Sequence, residues 1–227
     1  MVEDGHIRYS LLAIKNVGYA GYKAIVEERE KGLFLDIYDF MMRMENSHLS
    51  KKMLESLVDA GALDEFGMSR QTILKNLDAI RDYGHLKENL GIDEKPVLTI
   101  YQDQQEEKLA REKAVLGVYL SMHPIELMKQ KIQAAYVNVA DLDEYIQKTV
   151  NVVVQLQRVK NITDRKGQEM CFIEAMDETG SMDGVVFASS YKNIGMMLKK
   201  GNICLIQGKV NMKDKLSLIV DKARVVE

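Results

Sequence analysis

The sequence predicts a multi-domain fold of the α plus β class, in which an all-α domain precedes a five-stranded β-barrel. Apolar residues recur at helical spacing in the first part of the chain, and from Val150 onward they alternate as in a β-strand. A length of 227 residues is enough for two domains of about 100 residues each. We therefore divide the chain into a helical domain at 1–90, a linker with connecting helices at 91–149, and a β domain at 150–227.

Composition limits the classes of function. The chain is 46% hydrophobic and 29% charged, and no apolar run approaches the roughly 18 residues that a membrane-spanning helix needs. The first ten residues lack the order of a signal peptide, and Cys171 and Cys204 lie in apolar, strand-like segments without metal-site spacing. We expect a cytoplasmic protein with no membrane contact, no metal and no cofactor.

The net charge of −3 is unevenly distributed. Residues 150–227 carry 12 basic and 9 acidic side chains, whereas the first 149 residues carry 19 and 25. Nucleic-acid binding depends on neutralising phosphates, so this balance favours local contacts over general binding of polyanions. A protein–protein scaffold that touches no nucleic acid is also compatible with it.

The helical domain begins with a turn between two apolar segments. In "AIKNVGYAGYKAIV", residues 13–26, the turn Asn16-Val17-Gly18 is expected to separate two helices. This is the pattern of a helix-hairpin-helix motif. Such a motif holds the sugar-phosphate backbone through main-chain N–H groups and reads no bases.

Charge and backbone freedom favour a phosphate site at this turn. Gly18 can take the left-handed conformation there and lets a phosphate approach, while Lys15 and Lys23 flank the site. Asn16 stands where the motif usually has glycine, and asparagine tolerates the left-handed region better than most residues. An ordinary turn of a helix bundle is the alternative.

A second basic pair lies at a predicted helix start. Ser50 can cap a helix whose first turn holds Lys51 and Lys52, although cations oppose the helix dipole at that end. A bound phosphate would explain them, and a solvated surface pair is the alternative. The predicted duplex-binding residues are Lys15, Asn16, Gly18, Lys23, Lys51 and Lys52.

The connecting region lacks a helical stripe at its start. Residues 91–106 contain Pro96 and are predicted to be a linker. Helical periodicity returns from about Gln104 to Gln133, and Pro124 is expected to open a new helix at its first turn.

The β domain shows five alternating segments and one helical segment. We predict strands at 150–162, 170–176, 183–187, 203–210 and 216–225, with a helix at 190–198. Five strands with a helix between the third and fourth are the order of the OB-fold, whose ligands lie across strands 2 and 3 and between two loops.

Both of those loops and the second strand carry candidate ligands for a single nucleic-acid strand. Alternation that buries Cys171, Ile173 and Ala175 turns Phe172 outward, where its ring could stack on a base. Polar hairpin loops and a Phe172 packed on the barrel helix are the alternatives. The predicted single-strand-binding residues are Arg158, Lys160, Arg165, Lys166, Phe172, Lys213 and Lys215.

Four segments carry a resemblance that covers almost the whole chain. They are "IRYSLLAIKNVG", "KKMLESLVDAGALDEFG", "EKAVLGVYLSMHPI" and "DETGSMDGVVF". In these segments and in its domain order the chain resembles the C-terminal region of the bacterial replicative DNA polymerase III alpha subunit, DnaE type. The resemblance implies a DNA-binding part of a DNA-directed DNA polymerase, a nucleotidyltransferase, with duplex and single-stranded DNA as partners.

The same resemblance implies that this part of the enzyme has no active site. Phosphoryl transfer in that family uses metal-binding aspartates of a palm domain, and nothing in the chain matches a palm. The pairs Asp36/Asp39 and Asp141/Asp143 are interpreted as helix-start acids or surface charges. We assign no catalytic residue.

The family also carries a short peptide that binds the sliding clamp. The segment "VLTIY", residues 97–101, offers Leu98, Ile100 and Tyr101 in its apolar places, with Val97 where Gln is expected. The clamp and other replisome subunits are therefore candidate partners. Packing of this segment on neighbouring helices is the alternative, and for the whole chain the alternative is a stand-alone accessory nucleic-acid-binding or protein-interaction module.

Overall fold

The chain forms two compact units, residues 1–121 and 122–227. The computed structural model describes residues 2–3, 6–7, 9–47, 49–91, 94–213 and 215–226. The segment predicted as linker and connecting helices, 91–149, is divided between the two units and does not form a separate one.

The first unit is helical. Two short strands, β1 and β2, pair near its start, and 3-10 turns lie at Leu11–Ala13 and Asp64–Phe66. The elements are β1 Val2–Glu3, β2 His6–Ile7, α1 Tyr19–Glu30, α2 Ile37–Arg43, α3 Lys51–Asp59, α4 Arg70–Lys75, α5 Leu77–Leu90 and α6 Gln105–Leu116. Their apolar faces meet in one core, whose largest fully buried side chains include Ile37, Phe40, Leu57 and Ile80.

The helix predicted before the hairpin is reduced to a single 3-10 turn. The chain is already extended at Ile14, whose φ and ψ are −78° and 128°. Ile14 and Val17 are both buried in the helical core, and the Lys15 N–H donates to the Val115 carbonyl oxygen at 2.9 Å. A tertiary contact with α6 has therefore replaced a helical hydrogen bond.

Side chains cap the starts of α2 and α3. Asp36 accepts a hydrogen bond from the Asp39 N–H at 2.7 Å, and Ser50 accepts one from the Met53 N–H at 3.1 Å. Asp36 and Asp39 are thus helix-start acids, as the sequence predicts.

Residues 94–104, here called the strap, contain neither helix nor strand, and hydrogen bonds hold part of this predicted linker along the helical unit. The Thr99 carbonyl oxygen accepts a hydrogen bond from the Asn76 amide at 2.9 Å, and the Tyr101 N–H donates to Thr72 Oγ1 at 2.8 Å. Asp103 accepts the Gln71 N–H at 2.8 Å. The strap has no internal ladder, so side chains of α4 and of the residue after it satisfy its main chain.

The second unit is a closed β-barrel. Its elements are α7 Pro124–Gln130, a 3-10 helix Val139–Tyr145, β3 Thr149–Thr163, β4 Glu169–Met176, β5 Ser181–Val186, α8 Ala188–Ile194 with a 3-10 turn Gly195–Met197, β6 Ile203–Met212 and β7 Leu216–Val225. The strand order is β3-β4-β5-β7-β6, closing on β3, and only the β5–β7 pair is parallel. The five predicted strands and the helix between the third and fourth are confirmed, with ends that differ by one or two residues. α8 begins two residues earlier than predicted.

A buried ion pair joins α7 to the barrel. Lys129 Nζ lies 3.2 Å from Asp177 Oδ2 and 2.5 Å from Glu178 Oε1, and the Asp177 side chain is fully buried. Asp177 also accepts the Val139 N–H at 3.0 Å and the Thr179 N–H at 2.8 Å. This cluster shows why α7, which opens with Pro124 at its first position as predicted, packs with the barrel unit.

None of the helices in the described part of the chain is both long and apolar enough to cross a bilayer.

Candidate nucleic-acid interface

The hairpin turn has its left-handed residue at Asn16. Its φ is 67°, whereas Gly18 is extended, with φ −81° and ψ 157°. The prediction that Gly18 takes the left-handed conformation is therefore wrong. Asn16 Nδ2 donates to Ser56 Oγ of α3 at 2.9 Å, so a tertiary bond holds Asn16 in a conformation that it tolerates.

Gly18 serves instead as the N-cap of α1. No side chain caps this helix, so the N–H groups of its first turn, which have no partner within the helix, can bind an outside acceptor. A Cβ built on Gly18 would meet nothing within 4 Å. The space that a phosphate needs is thus present at this position.

The first turns of α1 and α3 lie against each other. A Cβ at Gly21, the third residue of α1, would lie 2.5 Å from Met53 Cε and 3.3 Å from Leu49 Cδ2. Met53 is the third residue of α3. Each helix start carries a partial positive charge, so an anion close to both starts would be favoured. The sequence analysis missed Gly21, although an "AG" pair inside a helical pattern is a signal of close packing.

Two of the predicted lysines are available at this site. Lys15 lies in the turn, and Lys52 lies one helical turn before Ser56, the residue that holds Asn16. Both are exposed, and no carboxylate in the described part of the chain pairs with them.

The other two lysines have partners. Lys23 Nζ lies 3.4 Å from Glu27 Oε1, and Lys51 Nζ lies 2.8 Å from Asp78 Oδ1. Exposed ion pairs of this kind contribute only about 0 to 1 kcal/mol, so a phosphate could displace either carboxylate. Their role in binding stays a prediction.

The outer face of the barrel follows the predicted alternation. Cys171, Ile173 and Ala175 are buried, and Phe172 is 44% exposed. Phe172 pairs across the strands with Lys160 on one side and Val185 on the other. An aromatic face with a cation beside it suits a base and its phosphate.

A second aromatic ring, missed by the sequence analysis, lies on the same face. Phe187 is 49% exposed, and its extended backbone, with φ −69° and ψ 159°, continues the alternation of β5 after the buried Val186. It lies two residues beyond Val185, the cross-strand partner of Phe172. Diagonal neighbours in a sheet are roughly 7 to 8 Å apart, which places the rings as a two-step platform.

The loop between β3 and β4 is a compact turn that presents cations. Asp164 Oδ1 accepts the N–H groups of Lys166 at 2.8 Å and Gln168 at 2.9 Å, and Gly167 is left-handed with φ 77°. The side chains of Arg165 and Lys166 are exposed and form no ion pair with the described residues. The turn thus supports two free cations at one end of β4.

The remaining predicted cations differ in their partners. Lys215 Nζ lies 2.7 Å from Asp183 Oδ2, and Arg158 Nη1 lies 3.3 Å from Glu174 Oε1. Lys213 is exposed and unpaired within the described residues. The structure therefore leaves Lys160, Arg165, Lys166 and Lys213 as the accessible cations of the predicted single-strand set.

The proposed clamp peptide lies within the strap. Leu98 packs on the helical core, which is the alternative noted for this segment, whereas Val97 is fully exposed and Ile100 is 70% exposed. Tyr101 is 38% exposed. Three apolar side chains, those of Val97, Ile100 and Tyr101, are thus exposed on a segment whose main chain is hydrogen-bonded to Thr72 and Asn76.

Both cysteine thiols are buried. Burial raises the pKa of Cys171 and of Cys204 to about 11, so both thiols stay protonated at neutral pH. Among the described residues, no group of three or more His, Cys, Asp or Glu side chains is arranged to hold a metal ion.

Comparison with known proteins agrees with this geometry. Residues 1–73 match the helix-hairpin-helix motif family, and residues 150–226 match the OB-fold nucleic acid binding domain family. DNA polymerase III subunit alpha of Bacillus subtilis (strain 168) is 33% identical over 239 residues that span 100% of this chain. Over its whole length, the chain is similar to part of DNA polymerase III subunit alpha.

The similarity to DNA polymerase III subunit alpha covers only part of each relative. The protein of the same description from Staphylococcus aureus (strain MRSA252) is 32% identical over 97% of the chain. The chain spans 21% of the length of each of these relatives. A solved mitochondrial single-stranded DNA binding protein of S. cerevisiae, Rim1, covers 35% of the chain and 94% of its own length, with 11% identity and a TM-score of 0.31. This last likeness is too weak to add to the assignment.

Proposed function

We propose that the helical unit holds duplex DNA by its backbone and that the barrel holds a single strand. The observation that carries the proposal is the row of Lys160, Phe172 and Val185, with Phe187 beside it, on the outer face of an OB-fold barrel. Stacking on such rings stabilises any base by about 1 to 3 kcal/mol, so binding would depend little on sequence.

The helical unit supports the duplex half of the proposal. Its site consists of main-chain N–H groups at the start of α1, next to the start of α3, with Lys15 and Lys52 alongside. Donors of this kind bind phosphate oxygens and carry no sequence information. In an enzyme similar to DNA polymerase III subunit alpha, this chain would be a DNA-holding part, cytoplasmic and without its own active site.

Two double variants separate the two halves. Lys15→Ala with Lys52→Ala should lower the salt slope of duplex binding by about 1.8, which corresponds to two phosphate contacts. Single-strand binding should persist. Lys160→Ala with Phe172→Ala should weaken only single-strand binding and lower its salt slope by about 0.7.

The measurement is a titration of labelled duplex and single-stranded oligonucleotides at several salt concentrations. Lys199→Ala with Lys200→Ala, which removes two exposed lysines beyond α8, serves as the charge-matched control. If both test variants behave as the control does, neither surface binds DNA, and a protein-interaction module becomes the better description.

A second candidate function is binding of the sliding clamp by the strap. Val97 and Ile100 are exposed, while hydrogen bonds to Thr72 and Asn76 already hold the main chain at Tyr101 and Thr99. A peptide whose main chain is already held in place loses little entropy on binding an apolar groove. Other replisome subunits could use the same exposed side chains.

Ile100→Asp tests the strap. This change should abolish co-migration with the sliding clamp of the same organism in gel filtration, whereas Leu12→Asp, at an exposed apolar position outside the strap, should not. Equal clamp binding by Ile100→Asp and the parent chain would remove the strap from consideration.

A further inference from the structure

A cleft of about 490 Å³ lies between the β3–β4 loop and α8. The side chains that matter here are those of Gln168 and Glu169 on the loop side, and of Tyr191, Lys192 and Met196 on the helix side. The volume exceeds that of a single nucleobase, and the lining is polar enough to form hydrogen bonds.

The cleft continues the two-step aromatic platform. Its loop wall ends at Glu169, the first residue of the strand that carries Phe172. Its helix wall belongs to α8, for which Phe187 is the N-cap. A strand that stacks on Phe172 and then Phe187 therefore reaches the mouth of the cleft with its next base.

A glycine makes room for the aromatic ring of the cleft. A Cβ at Gly195 would lie 2.9 Å from Tyr191 Cε2 and Cζ. With φ −55° and ψ −37°, Gly195 is in the right-handed helical region, where glycine has no conformational advantage and alanine is the better helix former. The glycine at this position therefore serves the placement of the Tyr191 ring.

Polar groups of the cleft match the edge of a base better than they match a phosphate. Burial and the nearby carboxylate of Glu169 raise the pKa of Tyr191, so the phenol stays protonated and can donate. Glu169 is exposed and unpaired among the described residues, and Gln168 can both donate and accept. A carboxylate here repels a phosphate but accepts hydrogen bonds from an amino group.

We propose that this cleft is a base-reading subsite, which takes one unstacked base of the bound single strand and prefers a base that presents an amino group to Glu169. The subsite rests on the proposed single-strand function of the barrel. Lys192 lies at the edge of the cleft, where it can contact the phosphate of the inserted nucleotide. Met196, which is 91% exposed, offers an apolar cover for the face of the base.

Cytosine and uracil provide a sharp probe because cytosine presents an amino group at C4 and an acceptor at N3, where uracil presents a carbonyl oxygen and an N–H. The full chain is titrated with labelled oligo-dU strands of about eight nucleotides in which a single dC is moved along the strand. We expect one position at which dC tightens binding about fivefold relative to the all-dU strand, the effect of one added hydrogen bond. The quantity compared between variants is the ratio of the affinity for the dC-containing strand to the affinity for the all-dU strand. A ratio is needed because removal of a carboxylate changes the affinity for every polyanion.

Two variants test whether the preference for dC over dU arises in the cleft. Glu169→Ala should bring the dC/dU ratio to about one, and Gly195→Ala, which displaces the Tyr191 ring, should also reduce it. Glu144→Ala, at an exposed acid of the 3-10 helix outside the cleft, should keep the parent ratio.

The outcomes distinguish the subsite from the function on which it rests. A parent chain that binds oligo-dU without any dC preference, or a preference that survives in Glu169→Ala, overturns the subsite and leaves the single-strand function intact. A parent chain that binds none of the strands overturns both.

Discussion

The helical unit and the barrel present their candidate DNA contacts by different means. In the helical unit the contacts are main-chain N–H groups at helix starts, and one side-chain bond, from Asn16 to Ser56, fixes the turn that exposes them. In the barrel the contacts are side chains that the strand register turns outward. Substitution of the turn residue Asn16 should therefore act through the fold, whereas substitutions of the exposed side chains in the barrel should act directly on binding.

The largest expected effect concerns the buried charge of the barrel unit. Asp177→Ala leaves Lys129 without its buried partner and removes the acceptor of the Thr179 and Val139 N–H groups. Loss of one member of a buried pair costs about 3 to 5 kcal/mol. The free energy of unfolding of the barrel should fall by that amount.

Thiol labelling measures this loss in the barrel alone, because Cys171 and Cys204 are both buried there. The labelling rate in native buffer should rise by a factor of a hundred or more for Asp177→Ala, since about 1.4 kcal/mol corresponds to a factor of ten. Asp143→Ala, an exposed acid of the same unit, should label as the parent does. Equal rates for the two variants would show that the pair is energetically unimportant.

The next largest effect is expected for Phe187, whose ring would contact a base directly. Phe187→Ala should weaken single-strand binding by about 1 to 3 kcal/mol through the loss of one stacked base. Duplex binding should not change. Fluorescence anisotropy with both ligands measures this difference, and Val225→Ala, at an exposed apolar position of β7, is the control. A loss of duplex affinity equal to the loss for single strands would contradict separate sites.

A smaller effect is expected at the hairpin turn, where substitution of Asn16 should lower the stability of the helical unit. Asn16→Ala removes the bond to Ser56 and forces alanine to φ near 67°, which should cost the helical unit about 1 to 2 kcal/mol. Gly18→Ala should be neutral within about 0.5 kcal/mol, because its φ is ordinary and its Cβ position is open. Urea unfolding followed by circular dichroism at the helical band gives both values. A greater loss from Gly18→Ala than from Asn16→Ala would restore the interpretation of Gly18 as the conformational centre of the turn.

The smallest effect is the dependence of barrel stability on pH. Burial raises the pKa of Asp177, but hydrogen bonds from Thr179, Val139 and Lys129 outweigh burial and hold the pKa below its ordinary value of 3.8. The unfolded chain therefore binds this proton at a higher pH than the folded chain, so stability rises with pH across that window. The contribution should be complete above about pH 5 and be lost as the pH falls below 3.8.

This pH dependence can be checked in urea. The unfolding free energy is measured between about pH 2 and 4 by thiol labelling after a neutral quench. Its dependence on pH should be shallower in Asp177→Asn, by an amount that corresponds to at most one bound proton. An unchanged slope would assign the acid sensitivity to other carboxylates.

The barrel could be predicted from sequence more fully than the hairpin, for a physical reason. Alternation with period two states which side of a strand is buried, so the outward position of Phe172 and the inward position of Cys171 followed directly. Phe187 was within reach of the same rule, since it ended the predicted third strand.

The hairpin and the strap could not be predicted in the same way. Which residue of Asn16-Val17-Gly18 is left-handed depends on Ser56, forty residues away, and the order of the strap depends on Thr72 and Asn76. Local spacing contains no information on these partners. The sequence also does not show which apolar side chains of the strap are exposed. Leu98 packs on the helical core and Ile100 is exposed, although both are aliphatic residues of the same segment.

The order in which the barrel strands close has a consequence for synthesis on the ribosome. β7 pairs with both β5 and β6, and it completes the ring that begins at β3. Until residue 225 has emerged, β5 and β6 present open edges, which are templates for intermolecular pairing. The helical unit has a core of its own and emerges earlier, so a nascent chain stalled before β7 would hold unpaired barrel strands and be prone to aggregate through them.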